Sequence, residues 1–181
     1  MTVIVGIDPG QKGALAVLVN GELTIWDLQD CYKPTGSFNS LDPLLFEQLV
    51  DSAIPYEYEP EDVVVFCEES LVIGGGAKAS GMSMRSIYDS RGVMRSEFCK
   101  RENEVHYIVP HKWKRHFGLL KTKEDDPKKM KEKSVNKACE VFPLDKDFFT
   151  RPKRGGGVMM LDGRAEAALI AQYGSLIIRK S

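Results

Sequence analysis

The chain has 181 residues, of which 43% are apolar and 28% charged, with a formal net charge of −1. That is the composition of a soluble globular protein, long enough to bury one substantial core, and no Pro/Ser-rich linker or internal repeat divides it, so residues 1–181 read as a single domain. No apolar run approaches the roughly 20 residues needed to span a membrane, which argues against a membrane role.

The first residues, MTVIVGID, enter an apolar β-branched run at 3–7 directly, without a basic leader or an Arg/Ser-rich transit stretch. Residues 14–20 (ALAVLVN) and 22–28 (ELTIWDL) read as two further strands joined at Asn20-Gly21, a strong hairpin signal. After a polar loop, residues 42–54 have helical periodicity, and Pro55 with the acidic stretch 57–62 separates them from a strand at 63–67. Met84, Ile87, Tyr88, Met94 and Phe98 recur at helical spacings across 80–101, and a strand follows at 105–109, closed by Pro110. Beyond it lie a short WKRHFG element, a lysine-rich helix at 127–142, a basic glycine loop RPKRGGG and a last helix from about 164 to 178. The order is β-β-β-α-β-α-β-α-α-α. It predicts an α/β fold in which a mixed five-stranded sheet with an antiparallel edge carries helices on both faces.

Charge is unevenly distributed. Residues 41–69 carry nine Asp/Glu and no Lys/Arg, whereas 111–137 hold ten Lys/Arg against four Asp/Glu and 78–101 hold six against two. The basic stretches suit phosphate tracking, although a lysine-rich stretch alone also describes a solvated helical face. Cys31, Cys67, Cys99 and Cys139 are widely spaced and form no CxxC pair, which fits structural thiols in a reducing compartment.

Four acids stand at the ends of apolar runs: Asp8 in VIVGIDPG, Glu68 in VVVFCEES, and Asp162 with Glu166 in LDGRAEAALIA. A strand end fixes the backbone while the side chain reaches the sheet rim, and two helical acids four apart point nearly the same way. The set suits a cage for divalent metal. Asp8 before Pro9 and Gly10 also suits a plain turn-former or the phosphate loop of an actin-like ATPase, and Asp162 also suits an N-cap. In a pleated strand Val64, Phe66 and Glu68 share one face, with Val65, Cys67 and Glu69 on the other, so one glutamate can face Asp8. Glu68 is the choice because it ends the apolar run. The alternative is Glu69.

In this order IDPGQKGALAV, the VVFCEES strand end, VPHKWKRHFG and LDGRAEAALIAQYG resemble a RuvC-type Holliday junction resolvase of the ribonuclease H-like superfamily. The last motif is most similar to the phage and organellar branch, where an aspartate, a glycine, a basic residue, an alanine, an acid and an alanine follow one another. Bacterial RuvC usually places two aspartates three apart there, so which of Asp162 and Glu166 is the inner ligand stays open. The resemblance implies a ribonuclease H-like fold, a homodimer, and Asp8, Glu68, Asp162 and Glu166 as catalytic acids and metal ligands.

The expected activity is metal-dependent phosphodiester hydrolysis that resolves four-way DNA junctions by paired symmetric nicks, the pairing requiring a two-fold dimer. Two Mg²⁺ ions, replaceable by Mn²⁺, are the expected cofactors, since all-carboxylate ligation favours hard cations. His106, His111 and His116 lack zinc spacing, and Trp113 reads as a packing anchor. Branched DNA is the expected partner, with no nucleotide cofactor. Lys78, Arg85, Arg91, Lys112, Lys114, Arg115, Lys128, Lys129, Lys131, Arg151, Lys153 and Arg154 are candidate DNA contacts. The loop at 74–81 is a candidate for entering the junction centre. The helix at 80–101, through Met82, Met84, Tyr88, Gly92 and Met94, is a candidate dimer face. A nuclease for RNA/DNA hybrids or flaps is the closest alternative, followed by an actin-like kinase fragment and a noncatalytic binder. The expected setting is cytoplasmic, in a bacterial or phage-infected cell, or an organellar matrix after N-terminal processing.

Overall fold

The computed structural model describes residues 2–54, 57–69 and 81–179, with side chains from residue 86 onward in the last segment. The loop at 74–81, except for the backbone of Gly81, lies outside the described residues together with Lys78, as do the side chains of Met82, Met84 and Arg85.

The central strand is β1 (Val3–Ile7), and β2 (Ala14–Val19) and β3 (Glu22–Asp27) extend the sheet from it as an antiparallel meander. At the β2–β3 corner Asn20 has φ 52° and Gly21 φ 89°, the doubly left-handed pair of a type I′ turn. A small hairpin follows, β4 (Tyr32–Thr35) with β5 (Phe38–Leu41), and then α1 (Pro43–Ala53). Asp42 caps that helix, its Oδ1 accepting from the N–H groups of Leu44 and Leu45 at 3.1 Å. On the other side of β1 lies β6 (Val63–Glu68), parallel to it, and α2 (Gly81–Lys100) leads to β7 (Val105–Ile108). The sheet order is therefore β3-β2-β1-β6-β7, five mixed strands as expected.

Three helices and a second small hairpin complete the chain. Pro110 opens α3 (Pro110–His116), and Asp126 with Pro127 begins α4 (Pro127–Val141). The glycine loop is the turn of a hairpin, β8 (Thr150–Pro152) with β9 (Val158–Met160), and α5 (Asp162–Ile178) closes the fold. Both small hairpins fall where the sequence predicts loops. Their strands are only three or four residues long, too short to show a period, and β4 and β8 each carry a proline.

Two apolar layers cover the sheet. Val3, Val5, Ile7, Val65 and Cys67 meet Phe46 and Val50 of α1 and Met94 and Phe98 of α2. Met94, expected on a dimer face, is thus part of the core, while Tyr88 and Gly92 of the same helix are exposed. Ile4, Ala16 and Phe66 meet α5 on the opposite face, and α4 flanks that helix. Small residues allow the approach: a Cβ on Gly6 would overlap the Ala167 carbonyl oxygen and the Ala171 nitrogen, and one on Gly174 would overlap the Phe66 ring. The four cysteines are free thiols; Cys31 and Cys67 are buried, whereas Cys99 is exposed. Among the described residues no helix is long and apolar enough to cross a membrane.

Candidate active site

The parallel register of β1 and β6 pairs Ile7 with Cys67, so the chain leaves both strands at the same rim, with Asp8 and Glu68 side by side. Strand alternation puts Asp8 on the face of Ile4 and Gly6, and Glu68 on the face of Phe66; this is the side covered by α5. Glu69, of opposite parity, extends the ladder by one bond, its N–H donating to the Ile108 carbonyl at 2.8 Å. Glu166, one turn into α5, completes the group. Its Oε1 accepts from Ser134 Oγ at 2.9 Å and its Oε2 from Lys114 Nζ at 3.2 Å.

Electrostatics show that these three acids share one environment. Burial, then the charges of Glu166 and Glu68, push the Asp8 carboxyl up to about 8, although part of its surface still reaches solvent. Glu68 is also raised, by burial first and by Glu166, against the opposing effects of Lys114 and of the Trp113 hydrogen bond. Burial disfavours the charge on Lys114, yet Glu166, Glu68 and Asp8 outweigh it and hold the ammonium above its ordinary range.

Several roles here are absent from the local sequence pattern. Trp113 is fully buried, the packing anchor its position suggests, but its indole N–H also donates to Glu68 Oε2 at 2.9 Å and orients that carboxylate. Lys114, counted from sequence among surface DNA contacts, sits instead within the acid cluster. Tyr32, from the first small hairpin, donates its hydroxyl to the Pro9 carbonyl at 2.9 Å and holds the loop that follows Asp8. Replacing Lys114 with Met removes an ammonium whose charge opposes the rise at Asp8 and Glu68. The Asp8 and Glu68 carboxyls should then be pushed further up, readable by NMR titration of carboxyl-labelled protein, while an unchanged titration of both would refute the electrostatic role.

Asp162 is placed differently. It is the first residue of α5, follows the N-cap position Leu161, and makes no side-chain cap. Its Oδ2 lies 2.7 Å from Lys131 Nζ of α4, and it lines a cleft that Asp8, Glu68 and Glu166 do not.

The remaining predicted contacts spread over the surface. Lys112, Arg115, Lys153 and Arg154 are exposed; Lys129 pairs with the buried Asp125 at 3.6 Å, and Lys128 lies 4.0 Å from Glu132. Arg91 stacks over the Tyr107 ring at 4.6 Å. His106 stacks on Phe66, and His116 lies against Phe117 and Tyr173, so neither stands among the acids.

As placed, no three His, Cys, Asp or Glu side chains among the described residues form a closed metal-ligating set. The chemistry of the acid cluster nevertheless fits a hard divalent cation. Its donors are carboxylate oxygens, and their repulsion with burial is the penalty that a cation between them would relieve.

The strand order, with α5 laid across β1 and β2 and reaching β6, defines a RuvC-type, ribonuclease H-like fold. Two solved structures match it over nearly all of both chains. Thermus thermophilus RuvC in complex with a Holliday junction substrate has a TM-score of 0.58 at 12% identity, covering 99% of this chain and 97% of that one. A second structure of Thermus thermophilus RuvC has a TM-score of 0.55 at 16% identity, covering 99% and 96%. No family model and no curated protein matches the chain by sequence.

Proposed function

We propose that this chain is a metal-dependent, structure-selective DNA endonuclease that resolves four-way junctions by paired symmetric nicks, acting as a homodimer. The observation that carries the reading is the grouping of Asp8, Glu68 and Glu166 on one rim of a RuvC-type sheet, with Asp8 pushed up to about 8 by burial and by the other two. Such a cluster is costly in a folded protein unless a ligand uses it.

In this reading Asp8, Glu68 and Glu166, with Asp162 one turn away, hold the divalent ions, Mg²⁺ or Mn²⁺. When bound, these ions supply an activated water and neutralise charge developing at the scissile phosphate. The protein's own groups prepare the site. Trp113 fixes Glu68, and Ser134 with Lys114 fixes Glu166, so two carboxylates arrive oriented. Lys114 also offers a positive charge to an approaching phosphate. Tyr32 and the tight packing of Gly13 under the Asp8 carbonyl hold the Asp8 loop in place. Exposed Lys112, Arg115, Lys153 and Arg154 provide the basic approach for a branched duplex.

The test is cleavage of a labelled synthetic four-way junction with Mg²⁺, by wild type and Asp8→Asn, beside linear duplex, flap and RNA/DNA hybrid. Paired symmetric nicks that fall by about 10³-fold or more in the variant are expected. Cleavage of only the hybrid or the flap would keep the metal site and reject the resolvase reading; ATP turnover without DNA would revive the actin-like alternative.

A further inference from the structure

Beside the acid cluster lies a cleft of about 310 Å³ in which the loop after β1, the end of β3, α4, the β8–β9 hairpin and the first turn of α5 meet. Four cations line it, Lys12, Lys131, Arg151 and Arg164, against two carboxylates, Asp27 and Asp162. Two of the cations are already matched. Lys131 pairs with Asp162, and Arg164 grips Asp27 with both arms of its fork, at 2.7 and 2.6 Å, while also donating to the Phe148 carbonyl at 3.3 Å. Lys12 and Arg151 are exposed, and neither has a carboxylate partner among the described residues; Arg151 Nε rests only on Met159 Sδ, a weak acceptor, at 3.3 Å. The cleft therefore holds two surplus positive charges in a concave, solvent-open setting.

One wall of the cleft belongs to the active-site frame. A Cβ on Gly163 would overlap the Lys12 carbonyl, so the Lys12 backbone is pressed onto the first turn of the helix that carries Glu166. The same loop begins at Asp8. An anion seated between Lys12 and Arg151 would thus have a fixed place relative to the acid cluster, and a chain of evenly spaced anions could occupy both sites together. A nucleic-acid strand has that chemistry, and the hairpin continues the basic surface outward through Lys153 and Arg154.

We infer that this cleft is a second phosphodiester subsite, which seats the strand beside the scissile phosphate through Lys12 and Arg151 and without metal. It deepens the nuclease reading above and rests on it. The experiment is junction binding in EDTA over a salt series, with wild type and the double variant Lys12→Ala/Arg151→Ala. Both residues are exposed, so the variant should fold, as circular dichroism would verify. The slope of log affinity against log salt should shrink by roughly 1.4 to 1.8, the share of two phosphates. Junctions carrying one neutral methylphosphonate at a time add a positional readout: one or two positions next to the cut should weaken wild type and leave the double variant unaffected.

An unchanged slope in a folded variant overturns the subsite even if wild type cuts the junction with Mg²⁺. A variant that loses inorganic-phosphate binding but keeps the wild-type slope makes the cleft a free-anion site, which also overturns it. If wild type neither binds nor cuts nucleic acid, the nuclease reading fails first and the subsite falls with it.

Discussion

Asp8→Asn should make the metal-free protein more stable near pH 8 and leave it unchanged near pH 3. The Asp8 carboxyl ionises near 3.8 when unfolded but only at about 8 in the fold, because it is buried beside Glu166 and Glu68. Between those values the folded chain keeps a proton that the unfolded chain has released, so wild-type stability falls as pH rises through the window and levels off above it. Asparagine keeps the shape without the titration. Full linkage over that window would be roughly 5 kcal/mol, but Asp8 is only partly buried and solvent screens its charge, so a gain on the order of 2 kcal/mol at pH 8 is expected, raising the Tm by about 4–8 °C for a chain of this size. Thermal unfolding in EDTA at several pH values measures it. Mg²⁺ should then raise the Tm of wild type more than that of the variant, a readout of ion binding that does not depend on cleavage. Equal pH slopes for the two proteins would mean that Asp8 is an ordinary surface acid.

The second large effect is on the fold itself. Gly6→Ala should destabilise the protein by about 4 kcal/mol or more, because the new methyl meets backbone atoms of α5 on two sides, at Ala167 and Ala171, and backbone cannot rotate away. The same substitution at Gly92 should do the opposite. That glycine lies exposed in α2 with open space around it, so alanine there gains helix propensity, up to about 1 kcal/mol. Urea unfolding of both variants decides the matter, and comparable losses at the two positions would show that α5 is not seated as described. Since Glu166 rides on α5, the Gly6 contact also sets how far that carboxylate stands from Asp8.

Much of this arrangement is written locally. Continuous apolar runs mark β1 and β6 and end at Asp8 and Glu68; strand parity lets only one of Glu68 and Glu69 face Asp8, and Glu68 is the choice because it ends the run. The Asn20-Gly21 turn and the alanines and glycines of α5 are equally plain, because turn chemistry and close approach depend on single residues. The two small hairpins are not, since strands of three or four residues have no period of their own. Asp162 and Glu166 look equivalent at a spacing of four, yet Glu166 shares charge with Asp8 and Glu68 while Asp162 turns to Lys131. The packing of α4 beside α5 makes that choice. Lys114 likewise reads as one surface cation among many until α3 brings it against Glu166. By itself the sequence determined the five strands of the main sheet, the longer helices and the sheet plan, and it marked four candidate acids, since period, turn and rim position are properties of neighbouring residues. Only the tertiary structure decided which acids share a field, which cations they face and where positive charge is left over. Those are distances between segments far apart in the chain, and the packing of helices on the sheet sets them.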